Sequence, residues 1–356
     1  MWSFGTYVIA SLLLLWPSVS GLVTATKMLD RKTTAEDAFR FLDKTDQLTP
    51  FAREGGTAIV TGGNSGIGIE TVKVLAMAGM NVILCARNLE SASNAIKENL
   101  PSSVQGKVEV QSLDLADLAS VKTSADAILD KCGDSTIDCL VNNAGIMALK
   151  NRETSKDGIE MQFAVNHVGH HLLTRLLLPS ITTGGRIVNV ASTAHTMAKE
   201  PIDDWESKES YKPWGAYGTS KLCNILFTKQ LQTELRGQQQ VDDNKIDVVA
   251  LHPGVIRTPL WKHTFPRFLQ PLVSLFANKS IEQGAATSVY CALSRNIEGG
   301  GYYDNCAVAV PSTNARSEKL STALWRHTEQ LLADKGIKLP DMVLSTKSKE
   351  SALVTE

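Results

Sequence analysis

The chain contains 356 residues with a formal net charge of −1, and 43% of them are hydrophobic. This balanced charge argues against a nucleic-acid-binding surface, so no nucleic-acid partner is expected. The length fits one large α/β domain with additions or two small domains, and the hydrophobic fraction is enough for a large core. Its six cysteines lack the spacings typical of metal sites, which predicts free thiols and no bound metal.

An uncharged apolar segment at residues 4–23 is about long enough to cross a bilayer. It can be interpreted as a cleaved signal peptide, with a small-residue cleavage site at Ser18-Val19-Ser20, or as a retained membrane anchor. Basic residues follow it between positions 27 and 32, and none precedes it. The positive-inside rule then places the rest of the chain on the cytoplasmic side, and we favour an anchor over residues 1–23. Residues 24–54 are predicted to form a connecting arm with one helix.

From Thr57 onward, short apolar strands alternate with helices, which predicts a doubly wound parallel sheet of Rossmann type with helices on both faces. The predicted strands cover residues 58–60, 81–86, 107–113, 137–141, 186–191, 246–252 and 301–303. The predicted helices cover residues 69–78, 89–99, 116–131, 157–178, 216–235 and 317–335. We expect a single α/β domain over residues 55–338, with a substrate lid at 259–283 and a polar tail at 339–356.

A glycine turn, Thr61-Gly62-x-x-x-Gly66-x-Gly68, lies between a buried strand and an amphipathic helix. This arrangement presents backbone N–H groups and the positive end of a helix dipole to a pyrophosphate. Gly62 would permit the tight turn, Gly66 the close approach of a cofactor, and Gly68 the packing of the helix on the strand. A purely structural turn is the alternative interpretation.

Arg87 ends the second predicted strand, in the sequence Cys85-Ala86-Arg87-Asn88. In dinucleotide-binding folds an acidic residue near this point binds the ribose 2′-hydroxyl, whereas an arginine accommodates a 2′-phosphate. Because this chain has the arginine and no acid there, NADP(H) is favoured over NAD(H). A solvated arginine at a strand end is the alternative.

Tyr217 and Lys221 are four residues apart on a predicted helix, which places the phenol and the ammonium on one face. A fixed positive charge favours the phenolate, so we expect the pKa of Tyr217 to fall from its usual value of about 10. Such a tyrosine can give a proton to an alkoxide or take one from an alcohol. An ordinary surface pair at helical spacing is the alternative.

Two further side chains could support this chemistry. Ser192 lies just past a buried strand at the ligand-binding edge, where its hydroxyl either holds a substrate carbonyl oxygen or caps a loop. Asn166 is poorly suited to a helix interior, so it is either exposed or holds a water chain leading from Lys221. The neighbouring histidines at 167, 170 and 171 lack a carboxylate or cysteine partner, so a metal is not expected.

Five motifs occur in chain order: the glycine turn, Asn142-Asn143-Ala144-Gly145, Ser192, Tyr217-x-x-x-Lys221 and Pro253-Gly254. In this order they resemble the short-chain dehydrogenase/reductase family. Longer stretches resemble its retinol dehydrogenase-like branch, among them Val165-Asn166-His167-Val168-Gly169-His170 and the run from Leu251 to Thr258. The resemblance covers residues 55–335.

The resemblance implies a role for each matching residue. Tyr217 would be the acid/base, Lys221 would bind the nicotinamide ribose, and Ser192 would orient the carbonyl. Asn166 would support the proton relay. The residues implied to contact the cofactor are Thr61, Gly62, Asn64, Ser65, Gly66, Ile67, Gly68, Arg87, Asp114, Leu115, Asn142, Ala144, Tyr217, Lys221, Pro253, Gly254, Val255 and Thr258.

We therefore expect an NADP(H)-dependent oxidoreductase that interconverts a carbonyl and an alcohol on an apolar substrate, such as a retinal-like or lipid-like aldehyde or ketone. It would be membrane-associated at the endoplasmic reticulum with its catalytic domain facing the cytoplasm; the secretory lumen and a plastid are the alternatives. The oligomeric state is left open; a homodimer is one option, since dimers are common in the family that the chain resembles. Two other functions stay open: a pigment enzyme resembling protochlorophyllide reductase, and a non-catalytic NADP-binding scaffold at a membrane.

Overall fold

The computed structural model describes residues 29–104, 106–133, 135–198, 204–238, 245–256 and 279–342. Within them lies an eight-stranded sheet. Its strands are β1 (Thr57–Thr61), β2 (Asn81–Ala86), β3 (Val108–Ser112), β4 (Ile137–Asn142), β5 (Ile181–Val190), β6 (Asp247–His252), β7 (Tyr302–Asp304) and β8 (Ala307–Ala309). Their spatial order is β3-β2-β1-β4-β5-β6-β7-β8.

The strands from β1 to β7 pair parallel with their neighbours, and β8 pairs antiparallel with β7. Parallel strands place all their carboxyl ends at one edge of the sheet. The chain reverses its direction of travel across the sheet between β1 and β4, which creates the crevice where doubly wound folds bind ligands. The fold class predicted from the alternating pattern is confirmed.

The central strands are apolar on both faces, as expected for a sheet covered by helices on both sides. Ile59 and Leu140 belong to one buried cluster, and Val60 and Val141 belong to the cluster on the opposite face. Successive side chains of a strand point to opposite faces, so any two neighbouring residues of β1 or β4 contribute one side chain to each core. This explains why these strands read as continuous apolar runs.

Helices cover both faces of this sheet. They are α1 (Ala35–Lys44), α2 (Pro50–Arg53), α3 (Gly66–Met77), α4 (Leu89–Asn99), α5 (Leu118–Cys132), α6 (Met161–Phe163), α7 (Gly169–Leu177), α8 (Pro213–Gln238), α9 (Ile281–Leu293) and α10 (Glu318–Asp334). A π-helical segment, Ala164–Val168, joins α6 to α7, and 3₁₀ turns cover Leu178–Ser180, Thr193–Met197 and Asn314–Arg316.

The helix predicted over residues 157–178 begins later than expected and is irregular. Asp157 lies outside it, because its carboxylate accepts the N–H of Leu118 at the start of α5. The π-helical segment interrupts the regular hydrogen-bond ladder around Asn166. Such π segments within α-helices occur frequently at functional sites.

The helix α9 was not predicted from the sequence. Residues on nearly all of its sides are buried, among them Ala285, Val289 and Cys291. Burial all round removes the one-sided apolar periodicity by which a surface helix is recognised. The small side chains instead allow close packing, and a Cβ at Gly284 would lie 2.2 Å from Ile256.

Residues predicted as a connecting arm pack onto the domain. Two helices occur there, α1 and α2, instead of one. Ala35, Ala38 and Leu42 of α1 are fully buried, and α1 packs against α9. A capping box starts α1, in which the side chains of Thr34 and Asp37 bond each other's backbone N–H. The arm therefore contributes to the core.

The predicted apolar segment at residues 4–23, the tail beyond residue 342 and most of the predicted lid lie outside the described residues. Thr258 is also outside them. In the parts of the chain that are described, no helix combines the length and apolar character that a membrane span requires.

Candidate active site

The glycine turn leads from β1 directly into α3. Gly62 and Gly66 adopt φ values of +63° and +55°, the left-handed region that glycine enters without a Cβ clash. At Gly68 a Cβ would lie 2.2 Å from the carbonyl oxygen of Gly62, so only hydrogen fits there. The first N–H groups of α3 are left open toward the carboxyl edge of the sheet, which suits a phosphate.

Thr61 joins this turn to the loop that follows β4. Its Oγ1 accepts the backbone N–H of Asn143 at 2.9 Å and that of Ala144 at 3.0 Å. Asn143 Nδ2 in return donates to the carbonyl oxygens of Thr61 and Gly62. The hydroxyl of Thr61 is therefore a structural link between two loops.

His170 extends this link to the π-helical segment. Both lone pairs of Thr61 Oγ1 are used, so its hydrogen is donated to His170 Nε2 at 2.8 Å. The ring hydrogen then lies on Nδ1, which donates to the carbonyl oxygen of Asn166 at 3.1 Å. Burial lowers the pKa of His170 to about 4, so the ring is neutral at pH 7.

A cleft of about 720 Å³ opens above the carboxyl ends of the strands. It brings together most of the residues that the sequence predicts as a site, from Gly62 to Val255. The predicted residues that line it are Gly62, Asn64, Ser65, Gly66, Ile67, Gly68, Arg87, Asp114, Leu115, Ala144, Ser192, Tyr217, Lys221, Pro253, Gly254 and Val255.

Asn142 was expected to line the cofactor groove, and the structure places it elsewhere. Its Nδ2 donates to Thr174 Oγ1 at 2.9 Å and to Asn189 Oδ1 at 2.8 Å, inside the core. Asn142 is the last residue of β4 and is paired in register with Asn189, so the two side chains lie on the same face of the sheet, beneath Thr174 of α7. The next residue, Asn143, lines the cleft instead.

Asn166 lies beneath the cleft and is fully buried. Its Nδ2 donates to the carbonyl oxygen of Ile146 and to Ser220 Oγ, both at 2.9 Å, and its Oδ1 accepts the N–H of Ile146 at 2.8 Å. The side chain therefore clamps the loop after β4 beside Lys221. Gly145 lies close to both groups, since a Cβ there would lie 3.2 Å from Asn166 Oδ1 and 3.4 Å from Lys221 Nζ.

Ser192 and Tyr217 meet at the centre of the cleft. Ser192 Oγ accepts the N–H of Ala194 at 3.1 Å, which leaves its own hydrogen to donate outward. The hydroxyl hydrogen-bonds the Tyr217 phenol. With Ser192 donating to the phenol, the Tyr217 hydrogen is free for a carbonyl oxygen placed against this pair. If the Ser192 hydrogen turned from Tyr217 to the same oxygen, that oxygen would receive two O–H donors, the arrangement that stabilises a developing alkoxide.

Lys221 lies one helical turn from Tyr217 and points beneath it. Its Nζ donates to the carbonyl oxygen of Val190 at 2.9 Å and lies 5.9 Å from the centre of the tyrosine ring. The ammonium therefore lies within cation–π distance of the tyrosine ring. The other hydrogens of Nζ remain available toward the cleft.

The prediction that the pKa of Tyr217 falls is wrong for the protein without a bound cofactor. Burial raises the pKa of Tyr217 to about 12, and the hydrogen bond from Ser192 offsets this only in part. Burial also lowers the pKa of Lys221 to about 8. Desolvation disfavours the charged form of both groups. Its effect is larger than that of the attraction between ammonium and phenolate, which was expected from their helical spacing.

Arg87 and Asp114 lie at the outer end of the cleft, where β2 and β3 end. The Arg87 side chain is exposed and forms no ion pair with any described residue. Asn88 is occupied as the cap of α4, where its Oδ1 accepts the N–H of Ser91 at 2.8 Å. Asp114 Oδ1 accepts the N–H of Ala116 at 3.0 Å, which fixes its carboxylate at the mouth.

Several cleft residues were missed by the sequence reasoning, among them Trp214 and His252. Trp214 lies three residues before Tyr217, and the two rings are 6.1 Å apart at an angle of 82°. Helical spacing from Tyr217 could have identified it. His252 immediately precedes the predicted Pro253, but nothing local indicates that it lines the cleft.

Comparisons with known proteins identify the family of this chain. Residues 56–267 match the family model described as short chain dehydrogenase. Retinol dehydrogenase 11 of Homo sapiens is 37% identical over 276 residues, which are 76% of this chain and 84% of the relative. Short-chain dehydrogenase TIC 32 B, chloroplastic, of Brassica napus is 37% identical over 289 residues, 78% of this chain and 88% of the relative.

The fold is also found among solved structures. A protein of Mycobacterium paratuberculosis known from its crystal structure has a TM-score of 0.64 and 33% identity, covering 82% of this chain and 97% of its own. Sheet, glycine turn and cleft form an α/β fold of the nucleotide-binding type, and the chain belongs to the short-chain dehydrogenase family, whose members are oxidoreductases. Within that family it is retinol dehydrogenase-like. Members of the family use a nicotinamide cofactor.

Proposed function

We propose that this protein is an NADP(H)-dependent oxidoreductase that interconverts a carbonyl and an alcohol on an apolar substrate. The observation that carries the proposal is the Ser192–Tyr217 hydroxyl pair, set beside Lys221 in the same cleft as the glycine turn. Retinal-like and lipid-like aldehydes or ketones are the proposed substrates. The names of the similar retinol dehydrogenases support this class.

The cleft suits a dinucleotide in size and in the groups that line it. Its volume of about 720 Å³ lies within the range of small-molecule sites. The turn at Gly62 to Gly68 would hold the pyrophosphate, Arg87 the 2′-phosphate, and Asp114 with Leu115 the adenosine. When bound, the nicotinamide would supply or accept a hydride at the substrate carbon.

The protein's own residues then handle the oxygen and its proton. Ser192 donates a hydrogen bond to the substrate oxygen, which orients the carbonyl. Tyr217 gives its phenolic proton to that oxygen as the alkoxide forms, and takes it back in the oxidation direction. A positive charge on Lys221 stabilises the phenolate that remains. Since cells usually keep NADP reduced, carbonyl reduction is the proposed direction.

The apolar lining of the cleft supports the proposal of an apolar substrate. Ile146, Met147, Val165, Met197 and Trp214 line the same cleft as the hydroxyl pair, and the Trp214 ring contacts that of Tyr217. These side chains provide large apolar area and no charge next to the reacting oxygen, so a lipid-like chain would be favoured over a polar substrate.

The first test measures turnover of NADPH with a panel of apolar aldehydes and ketones. Tyr217→Phe removes the proton donor and should reduce kcat by about 10²-fold to 10⁴-fold. Tyr290→Phe, which removes the hydroxyl of a tyrosine on α9 outside the cleft, is the matched control and should turn over like wild type. Equal rates for Tyr217→Phe and wild type would refute the mechanism. Binding of NADPH without turnover of any carbonyl would favour a scaffold instead.

The second test addresses the cofactor. Arg87→Ala should weaken NADPH binding about 10-fold or more and leave NADH binding nearly unchanged, since only NADPH carries the 2′-phosphate. Lys97→Ala removes one exposed positive charge from the same region, in α4, and controls for general electrostatics. Equal losses for the two cofactors in Arg87→Ala would remove the argument for NADP(H).

Membrane association is proposed for the segment at residues 4–23, because it is uncharged and precedes basic residues. The endoplasmic reticulum, with the catalytic domain facing the cytoplasm, is the proposed location. One relative is named as chloroplastic, which keeps a plastid as the alternative. Carbonate extraction together with N-terminal sequencing tests the anchor: extraction into the supernatant, or loss of residues 1–20, would contradict it.

A further inference from the structure

Two histidines from different segments hold the peptide unit that follows Ser192. The carbonyl oxygen of Ser192 lies 2.6 Å from Nδ1 of His195, in the 3₁₀ turn Thr193–Met197. The N–H on the other side of the same peptide, that of Thr193, lies 3.2 Å from Nδ1 of His252 at the end of β6. One peptide plane is thus bonded at both its donor and its acceptor.

The hydrogen-bond partners fix the tautomer of each ring. His195 must carry its hydrogen on Nδ1 to donate to the carbonyl, and its Nε2 accepts the N–H of Ser312 at 3.0 Å. His252 must have a bare Nδ1 to accept the N–H of Thr193. Both rings are therefore neutral, and burial lowers the pKa of each below its usual value, to about 4 for His252.

This peptide plane decides where the Ser192 hydroxyl points. Ser192 is extended, with φ −165° and ψ 155°, and its Oγ accepts the N–H of Ala194 on the far side of the plane. Rotation of the plane would move the N–H of Ala194 away from Oγ. The hydroxyl would then lose the contact that directs its hydrogen toward Tyr217.

The surroundings support a positioning role. His195 and His252 are only 4% and 6% exposed, so neither bond competes with bulk water. The ring of His195 packs edge-on against Tyr302 of β7, with 5.5 Å between the ring centres. Because His195 also binds the N–H of Ser312, the clamp ties the Ser192 turn to β6 and to the segment after β8.

We propose that His195 and His252 act together as positioning residues that hold the Ser192–Thr193 peptide, and thereby orient the Ser192 hydroxyl for carbonyl chemistry. This inference rests on the proposed function. It assigns neither histidine a contact with the reacting atoms. Both act through Ser192, so their loss should affect turnover more than cofactor binding.

The experiment compares leucine and asparagine at each position. In asparagine, Oδ1 and Nδ2 are bonded to Cγ, as Nδ1 is in histidine. The Oδ1 of His252→Asn can therefore accept the N–H of Thr193, and the Nδ2 of His195→Asn can donate to the carbonyl oxygen of Ser192. Leucine removes both possibilities. We expect His252→Leu and His195→Leu to lower kcat about 10-fold to 100-fold with KM for NADPH changed less than about threefold, and asparagine to restore most of the loss.

His327→Leu, the same change at a half-buried histidine of α10 outside the cleft, is the control for loss of a ring. Crystal structures of His252→Leu and His252→Asn give a readout independent of activity: Ser192 Oγ should leave Ala194 in the first and stay in the second. If wild type is active and the leucine and asparagine variants lose the same activity, the proposed positioning role of His195 and His252 is wrong. An unmoved Ser192 in His252→Leu would also contradict that role, even if wild type reduces no carbonyl and the proposed function fails.

Discussion

The substitution Gly68→Ala tests the close contact on which the glycine turn depends. The added Cβ would lie 2.2 Å from the carbonyl oxygen of Gly62 and 2.7 Å from Asn143 Nδ2. Close carbon–oxygen contacts in proteins are about 3.3 Å or longer, so the start of α3 must move by about 1 Å. The oxygen cannot yield alone, because it also accepts a hydrogen bond from Asn143 Nδ2.

Two opposite effects decide the stability of this variant. Overpacking costs about 1–3 kcal/mol, whereas alanine at a helical position contributes up to about 1 kcal/mol relative to glycine. The free energy of unfolding should therefore fall by up to about 2 kcal/mol. Turnover should fall more, about 100-fold, since a displacement of about 1 Å at the pyrophosphate carries the cofactor out of register.

Denaturant unfolding measures the first quantity, and NADPH titration with steady-state turnover measures the second. Gly237→Ala is the matched control, because Gly237 lies in α8 with no atom within 4 Å of the added Cβ. It should gain up to about 1 kcal/mol of stability and keep full turnover. A Gly68→Ala protein as stable as this control, with unchanged NADPH binding, would refute the reasoning from close contact.

Two further predictions concern buried groups. Thr61→Val leaves the N–H groups of Asn143 and Ala144 without their acceptor and should lower the free energy of unfolding by about 2–4 kcal/mol. Thr61→Ser keeps the hydroxyl and should restore most of this loss. Equal stability of the two variants would contradict the structural role of the Thr61 hydroxyl. Because the pKa of Lys221 is lowered to about 8, the unfolded chain binds more protons between that pH and the usual lysine pKa. Stability should therefore rise from pH 8 to 10 by up to about 2 kcal/mol, and urea titrations of Lys221→Met should lack this rise.

The sequence predicted those parts of the site that depend on local geometry. The strand–turn–helix pattern located the glycine turn, because a positive φ and a missing Cβ are properties of single residues. The ends of buried strands located Ser192, Arg87 and Asp114 in the same way, because parallel strands share one carboxyl edge. Tyr217 and Lys221 are four residues apart, and the helical repeat alone places them on one face of the helix.

What the sequence could not decide depended on contacts between distant segments. Asn142 and Asn143 are adjacent and identical, yet register with β5 turned the first into the core and left the second at the cleft. The pKa of Tyr217 moved opposite to expectation because burial depends on everything packed around the phenol.

Local pattern by itself thus determined the fold class, the glycine turn and the identity of the hydroxyl and amine groups. Tertiary structure alone decided which way those groups point and how strongly they hold their protons. The helix α9 and the histidine pair around Ser192 belong to this second kind, since burial on all sides and bonds across more than 50 residues leave no periodic trace in the chain. Side-chain direction and desolvation arise from the sum of many distant contacts, and neither follows from near neighbours.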